Sequence, residues 1–156
     1  VPSLSTNIFS PGVDSFPNDT DLTEAQLNLA LRLVWQKASS RIDTIVVNGY
    51  QKRRINSFIT SSRAYGAEDV AYRNLVSVYE SDFGVCRVIL CRHVPADTVL
   101  LLDSSRIDVF PLAGRSFHYK PLASTGDYES GEVIGEYTLE FRNENAHAAV
   151  TGLDVS

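Results

Sequence analysis

Apolar and polar positions follow two different periods along this chain. Between Leu27 and Ala38 the apolar side chains fall at Leu27, Leu31, Val34, Trp35 and Ala38, one face of a helix, and Leu29, Ala30 and Leu33 widen the stripe. Thr23 with Gln26 three residues later forms a capping box, and Leu22 with Leu27 forms the hydrophobic staple, so a helix is predicted over Thr23 to Ala38. A helix apolar over so much of its circumference needs cover on more than one side, which makes it a spine. Ile42 to Val47 then reads as a short strand. Asn48 is placed to cap a second helix, Gly49 to about Ser61, whose inner face is Tyr50, Ile55, Phe58 and Ile59.

From Asn74 the period drops to two. Leu75 to Glu80 and Val85 to His93 flank Ser81-Asp82-Phe83-Gly84, which has the turn formers to close a hairpin. Thr98 to Asp103 is a short apolar run suited to a sheet centre. Short strands are expected at Ile107 to Phe110 and around Phe117, Tyr119 and Leu122. In the closing stretch Tyr137, Leu139 and Phe141 alternate with Glu136, Thr138, Glu140 and Arg142. After Asn143, Glu144 and Asn145, a further run extends from Ala146 to Leu153. Three polar residues between two strand patterns suit a loop, so a long terminal hairpin is predicted, lying against the first helix. The order helix, strand, helix, then many strands, gives an α+β fold class.

Composition narrows the classes. With 156 residues, 44% of them hydrophobic and 21% charged, the chain has the size and make-up of one ordinary globular domain. A net charge of −5 argues against nucleic acid as the main partner, because phosphate binding rests on Lys and Arg. Lys52, Arg53 and Arg54 are consecutive on a helix and fan out around it rather than forming one patch. The two cysteines, Cys86 and Cys91, lie five apart in one strand-like run, point to opposite faces and read as free thiols. No signal peptide or membrane-length apolar run is evident, so a soluble, intracellular protein without a membrane partner is expected. Residues 1–19 carry three of the six prolines and no period, as an arm or linker does. The chain starts at Val1 and holds no Met, which suggests a fragment or a processed product.

The search for chemistry is mostly negative. No glycine-rich phosphate loop, nucleophile elbow, dinucleotide fingerprint or metal-spaced His/Cys group is present, so no cofactor or metal is expected. His93, His118 and His147 are scattered among strands. A small hydrolase using His118 or His147 with a nearby carboxylate is the enzymatic alternative. Glu136 and Glu140 read as the polar side of the terminal hairpin. Edge strands and ribbons with one polar face point instead to assembly.

Several strings together carry a resemblance. They are Tyr79-Glu-Ser-Asp-Phe-Gly84, Pro95 to Asp103, Leu122-Ala-Ser-Thr-Gly-Asp127 and Gly135 to His147, preceded by the Leu22 to Ala38 helix, the Ile42 to Val47 strand and the Gln51-Lys52 helix. In this order and spacing the chain, from about Thr20 to Leu153, resembles tailed-phage major head proteins of the Hong Kong ninety-seven type capsid fold. The resemblance implies an α+β capsid-type subunit. Its peripheral domain would comprise 20–41 and 128–156, spine helix plus terminal hairpin, and its mixed α/β axial domain 42–127. It implies a structural, non-enzymatic protein that assembles with copies of itself into pentamers and hexamers of a shell. That shell encloses DNA without specific binding, with scaffolding, portal or decoration proteins as further partners. The expected location is the virion, after assembly in the bacterial host cytoplasm.

Arg63, Tyr65, Asp69, Tyr79, Asp82 and Phe83 are the candidate contacts around capsomer axes, and Asn143, Glu144 and Asn145 those between capsomers. An N-terminal arm and extended loop have no counterpart before Val1, so the chain is expected to be the C-terminal portion of a longer subunit. Covalent cross-linking is not carried over, because its usual lysine lies in that loop. An encapsulin-like nanocompartment shell protein is the nearest alternative.

Overall fold

The computed structural model describes residues 7–13, 16–62, 78–123 and 126–155, and of residues 59–62 the backbone alone. The elements are β1 (Ile8–Phe9), α1 (Glu24–Ala38), β2 (Thr44–Val47), α2 (Gly49–Ser62), β3 (Val78–Ser81), β4 (Gly84–Leu90), β5 (Val99–Leu102), β6 (Ile107–Pro111), β7 (His118–Pro121), β8 (Gly131–Ile134), β9 (Tyr137–Phe141) and β10 (Ala148–Val150). They form two compact units, one of Val1–Ser104 with Asn143–Ser156 and one of Ser105–Arg142. The α+β class stands.

The first unit is a six-stranded mixed sheet in the order β1-β10-β5-β2-β4-β3. Its centre is β2, parallel to β4 and antiparallel to β5, in the register Ile45 to Val88 and Leu101. Alternation decides the two faces. Ile45, Val47, Val88, Val99, Leu101, Ala148 and Val150 point into one core, which α1 closes with Leu27, Ala30, Leu31 and Val34 and α2 closes with Ile55. The expected capping box is formed: the Thr23 hydroxyl accepts from the Gln26 amide, and the Gln26 side chain accepts from the Thr23 amide. Helix α1 stops at Ser39, which takes up a left-handed conformation while its N–H donates to the Trp35 carbonyl. Asn48 starts α2, its side-chain oxygen accepting from the Gly49 amide. The described residues of the N-terminal segment are docked. Strand β1 runs parallel to β10, and the Phe9 and Phe16 rings stack at 5.5 Å.

The long terminal hairpin does not form. Strand β9 pairs with β6, whereas β10 pairs with β5 and β1 in the other unit's sheet. Between them Asn143 adopts a left-handed φ of 57° and Glu144–Ala146 makes a 3-10 turn, so these polar residues redirect the chain instead of folding it back on itself. Asn7 holds the turn, donating to the carbonyls of Asn145 and His147 and accepting from Lys37. The contact expected between α1 and the closing stretch is present for its second half, since α1 packs on the 144–146 turn and β10. Helix α1 and β10 therefore share one core with β2 and β5.

The second unit consists of two antiparallel ribbons, β6 with β9 and β7 with β8.

Candidate assembly surface

In the β6/β9 ribbon the register pairs Ile107 with Phe141, Val109 with Leu139 and Pro111 with Tyr137, so six apolar side chains share one face. The opposite face carries Asp108, Phe110, Thr138 and Glu140, and Arg142 bridges to both Asp108 and Glu140. This amphipathic design normally buries its apolar face. Here Val109 is 64% and Leu139 53% exposed.

The β7/β8 ribbon repeats the pattern, with Tyr119 opposite Val133 on one side and Lys120 ion-paired to Glu132 on the other. Gly131 is required by close approach: a Cβ there would overlap the Tyr119 ring that lies across it. Phe117, 72% exposed, meets the Tyr137 ring at 4.9 Å. None of the described residues between 105 and 142 is buried. Two-stranded ribbons without a covered face are marginal in water. Apolar exposure of this extent, rimmed by ion pairs such as Arg115 with Glu136, marks an interaction surface.

The first unit adds a smaller patch. Strands β3 and β4 form the expected hairpin, closed by Asp82 and Phe83. The Ser81 hydroxyl donates to the Gly84 carbonyl and accepts from the Phe83 amide. Gly84 has a φ of +137°, and a Cβ there would run into the Arg41 guanidinium. Beside the turn, Trp35 on the outer side of α1 is 53% exposed and meets Phe83 at 6.1 Å. Val78, Val85 and Ile89 are exposed on the sheet face away from the helices.

The expected contact residues distribute unevenly over this surface. Asp82 is exposed and Phe83 half-buried. Tyr79 is a correction: at 3% exposure it belongs to the core, its hydroxyl donates to Asn28, and burial is the main cause that pushes its pKa up to about 12. Its ring is thus closed to a neighbouring subunit. Asn143, Glu144 and Asn145 are exposed at the redirecting turn. Arg63, Tyr65 and Asp69 lie outside the described residues. The apolar positions of the second unit, Val109, Phe117, Tyr119 and Val133, were not among the expected contacts. The signal for Val109 is the matching alternation of Ile107-Asp-Val109 and Leu139-Glu-Phe141.

His118 and His147, the histidines of the enzymatic alternative, differ in exposure. His118 is exposed, with Nδ1 beside the Ser116 carbonyl at 2.9 Å. His147 is buried next to Ser40 and Asp103, but the bonds run in the wrong order for a base-activated nucleophile. Ser40 donates to the Asp103 carboxylate at 2.5 Å, and His147 Nδ1 accepts from the Asp103 backbone amide at 3.3 Å. The serine is thereby tied to the acid rather than to the imidazole, and the network locks the end of β5 to α1 and β10. A recess of about 310 Å³ at the end of the β6/β9 ribbon is lined by Pro111, Leu112, Ala113, Glu136, Tyr137 and Thr138, without a His, Cys or Ser. Among the described residues no group of His, Cys, Asp or Glu is arranged to hold a metal ion, and no helix is long and apolar enough to cross a membrane.

Comparison with known proteins agrees with a shell subunit. The fold is similar to a virus-like particle protein from Pyrococcus furiosus, at 15% identity and a TM-score of 0.52, covering 94% of this chain and 57% of that one. It is also similar to the encapsulin of the holo-SrpI complex from Synechococcus elongatus PCC 7942, at 13% identity and a TM-score of 0.55, covering 95% of this chain and 53% of that one. The chain thus spans somewhat over half the length of these two solved proteins. Among curated proteins no sequence matches it. The family model of the SU10 major capsid protein matches residues 4–154, and the chain belongs to that family of phage capsid subunits.

Proposed function

We propose that this chain is the self-assembling part of a tailed-phage or prophage head subunit of the Hong Kong ninety-seven type, forming pentamers and hexamers of a DNA-containing shell and carrying no catalytic role. The observation that carries the reading is the second unit, a pair of amphipathic ribbons whose apolar faces stand in water. A surface of this kind is stable only when something covers it, and in a family of capsid proteins the abundant partner is another copy. The net charge of −5 suits an inner wall that encloses DNA without gripping it.

The Asp82-Phe83 turn, with Arg63, Tyr65 and Asp69, is assigned to contacts around the capsomer axes. Asn143, Glu144 and Asn145 are assigned to contacts between capsomers. Scaffolding, portal and decoration proteins are further partners on this reading, and the virion is the destination after assembly in the host cytoplasm. The test is expression of the protein that contains this chain, with sizing and negative-stain imaging. Closed particles or rings are expected, and replacing Asp82 and Phe83 by glycines impairs them while leaving the circular dichroism spectrum intact. Particles that carry a protein cargo and no nucleic acid point to a nanocompartment shell instead. A monomer at every concentration refutes self-assembly.

A further inference from the structure

The six-stranded sheet of the first unit has a second face. Alternation sends Ile45, Leu101 and Val150 into the core that α1 and α2 close, so the residues beside them in each strand point the other way. Pairing then sets Ile8 beside Ala149, Ala149 beside Leu100, Leu100 beside Val46 and Val46 beside Ile89. The result is one uncharged, apolar row across β1, β10, β5, β2 and β4, roughly 20 Å wide at ~4.8 Å between strands. Ile8 is 47% and Ile89 39% exposed, and Ala149, Leu100 and Val46 are half-buried. Side-chain size along the row is uneven in a particular way. Leu100 and Val46 flank the line between β5 and β2, and one strand further out stand small Ala149 on β10 and large Ile89 on β4, at equal distances from that line.

We propose that two copies pack these sheet faces together about a two-fold axis that runs along the strands between β5 and β2. The occupant is identified by the shape of the row itself. Such an axis lays Leu100 over the partner's Val46 and Ile89 over the partner's Ala149, so each bump enters a hollow, twice by symmetry. Facing sheets interdigitate in this way, large side chains opposite small ones across ~10 Å. A partner other than a second copy would give no reason for a bump and a hollow at mirrored positions. Arg87 occupies the next position along the outer face of β4, and the axis sets the two copies' Arg87 residues roughly three strand spacings, about 14 Å, apart laterally, so like charges are not opposed. This row and the next bury on the order of 1,000 Å² over both copies, short of the ~1,600 Å² of a stable pair. The contact therefore forms where other contacts already hold copies together. It rests on the reading of the chain as a self-assembling shell subunit and adds a two-fold contact made by the first unit alone.

The test is disulfide trapping in the protein that contains this chain, in a Cys86→Ala, Cys91→Ser background. Opposed positions of facing sheets can be bridged, as the inter-sheet disulfide of immunoglobulin domains is. Copies with Ile89→Cys and copies with Ala149→Cys, mixed before assembly, are expected to link to each other at least about ten-fold more than either links to itself, because like positions lie far outside disulfide range. Self-linking as strong as cross-linking, or no linking, overturns the pairing. Independently, Ala149→Leu fills the hollow and is expected to raise the concentration needed for assembly about ten-fold in sedimentation velocity, with the circular dichroism spectrum unchanged. Adding Ile89→Ala brings it back, because bump and hollow have then exchanged strands. A double variant no better than Ala149→Leu alone overturns the interdigitation. Thiols at 89 and 149 that resist a reagent in an unlinked monomer mean that another segment of the polypeptide covers the face, which also overturns it. Imaging the same samples separates the two claims. Shells that form without the 89–149 link overturn this contact and leave the shell reading in place, whereas linked pairs that build no shell support the contact and remove the shell.

Discussion

Two substitutions of similar size on β-strands should behave oppositely, and the contrast tests whether the second unit is uncovered in the isolated chain. Ile45 is 0% exposed at the centre of the six-stranded sheet, with Val88 and Leu101 as cross-strand neighbours. Ile45→Ala deletes three carbons, worth about 2.5 kcal/mol of transfer free energy at ~0.8 per methylene. The residual cavity adds to this, so a loss of about 3–4 kcal/mol is expected. With a urea slope of roughly 2 kcal/mol/M the unfolding midpoint falls by about 1.5–2 M.

Leu139 is 53% exposed, so the folded chain shelters only about half of it. Leu139→Ala should then cost less than about 1 kcal/mol in the same titration. Its exposed part, on the order of 100 Å² at ~25 cal/mol/Å², is worth about 2 kcal/mol once covered. Most of that goes with the alanine, and assembly requires roughly ten-fold more protein at each contact. Unfolding is followed by circular dichroism, and assembly by sedimentation velocity across a concentration series. If Leu139→Ala lowers the urea midpoint as much as Ile45→Ala does, the ribbon already has its cover. If it leaves the assembly concentration unchanged, the apolar face is not what copies bury.

Two further outcomes follow from the ionisable groups of the first unit. Burial raises the pKa of Asp43, but hydrogen bonds from the Ser104 hydroxyl, the Ser104 amide and the Thr44 hydroxyl outweigh it, and the net shift is downward. A depressed carboxylate stabilises the fold above its unfolded pKa and loses that contribution as pH falls through the folded value. Ser104→Ala should therefore cost about 1 kcal/mol at pH 7 and nothing once Asp43 is protonated in both states, with the acid midpoint moved to higher pH. A constant offset at every pH in urea titrations refutes this. Burial also raises the Cys86 thiol to about 11 and the Tyr79 hydroxyl to about 12, from ordinary values of 9.0 and 10.0. Both groups are neutral in the fold, so the stability they support is complete below pH ~9 and drains away as pH rises towards ~12. At pH 8 a thiol reagent should label half-buried Cys91 and spare Cys86 until the chain unfolds in alkali. Equal labelling of both with the spectrum intact contradicts the burial.

Where neighbours in sequence decide the structure, the sequence is readable. The Thr23–Gln26 capping box and the Asp82-Phe83 turn are interactions over a few residues, and each is present as read, while Leu22 and Leu27 are both buried in the core. The apolar run of β5 marks a sheet interior for the same reason, since no solvent-facing residue interrupts it. Partner choice is different. The alternation Tyr137-Leu139-Phe141 states that the strand has an apolar face, yet β6, thirty residues earlier and equally alternating, is as good a partner as the following run. The loop chemistry of Asn143 to Asn145 fits a hairpin and fits equally a left-handed residue followed by a 3-10 turn. What tips the balance is tertiary: Asn7, Lys37 and α1 hold that turn against the first unit. Tyr79 was misread in a similar way. A tyrosine beside a turn has the composition of a contact residue, and only the position of α1 shows that its ring lies in the core.

The contact surface was illegible for a deeper reason. Reading a period-two strand assumes that its apolar face is buried in the same chain, and for β2, β5 and β10 that holds because α1 and α2 are there to close it. For β6 and β9 the pattern is as clean, but none of the described residues of that unit is buried. The pattern therefore encodes a core whose other half is not among the described residues. A subunit built this way separates two demands. The six-stranded unit has its own core, closed by α1 and α2. If copies supply the cover of the ribbons, as proposed, the free energy of ordering them appears in assembly rather than in subunit folding. A shell closes correctly only if early contacts are weak enough to break and re-form, and surfaces that mature on docking supply that property while leaving the fold of each copy intact.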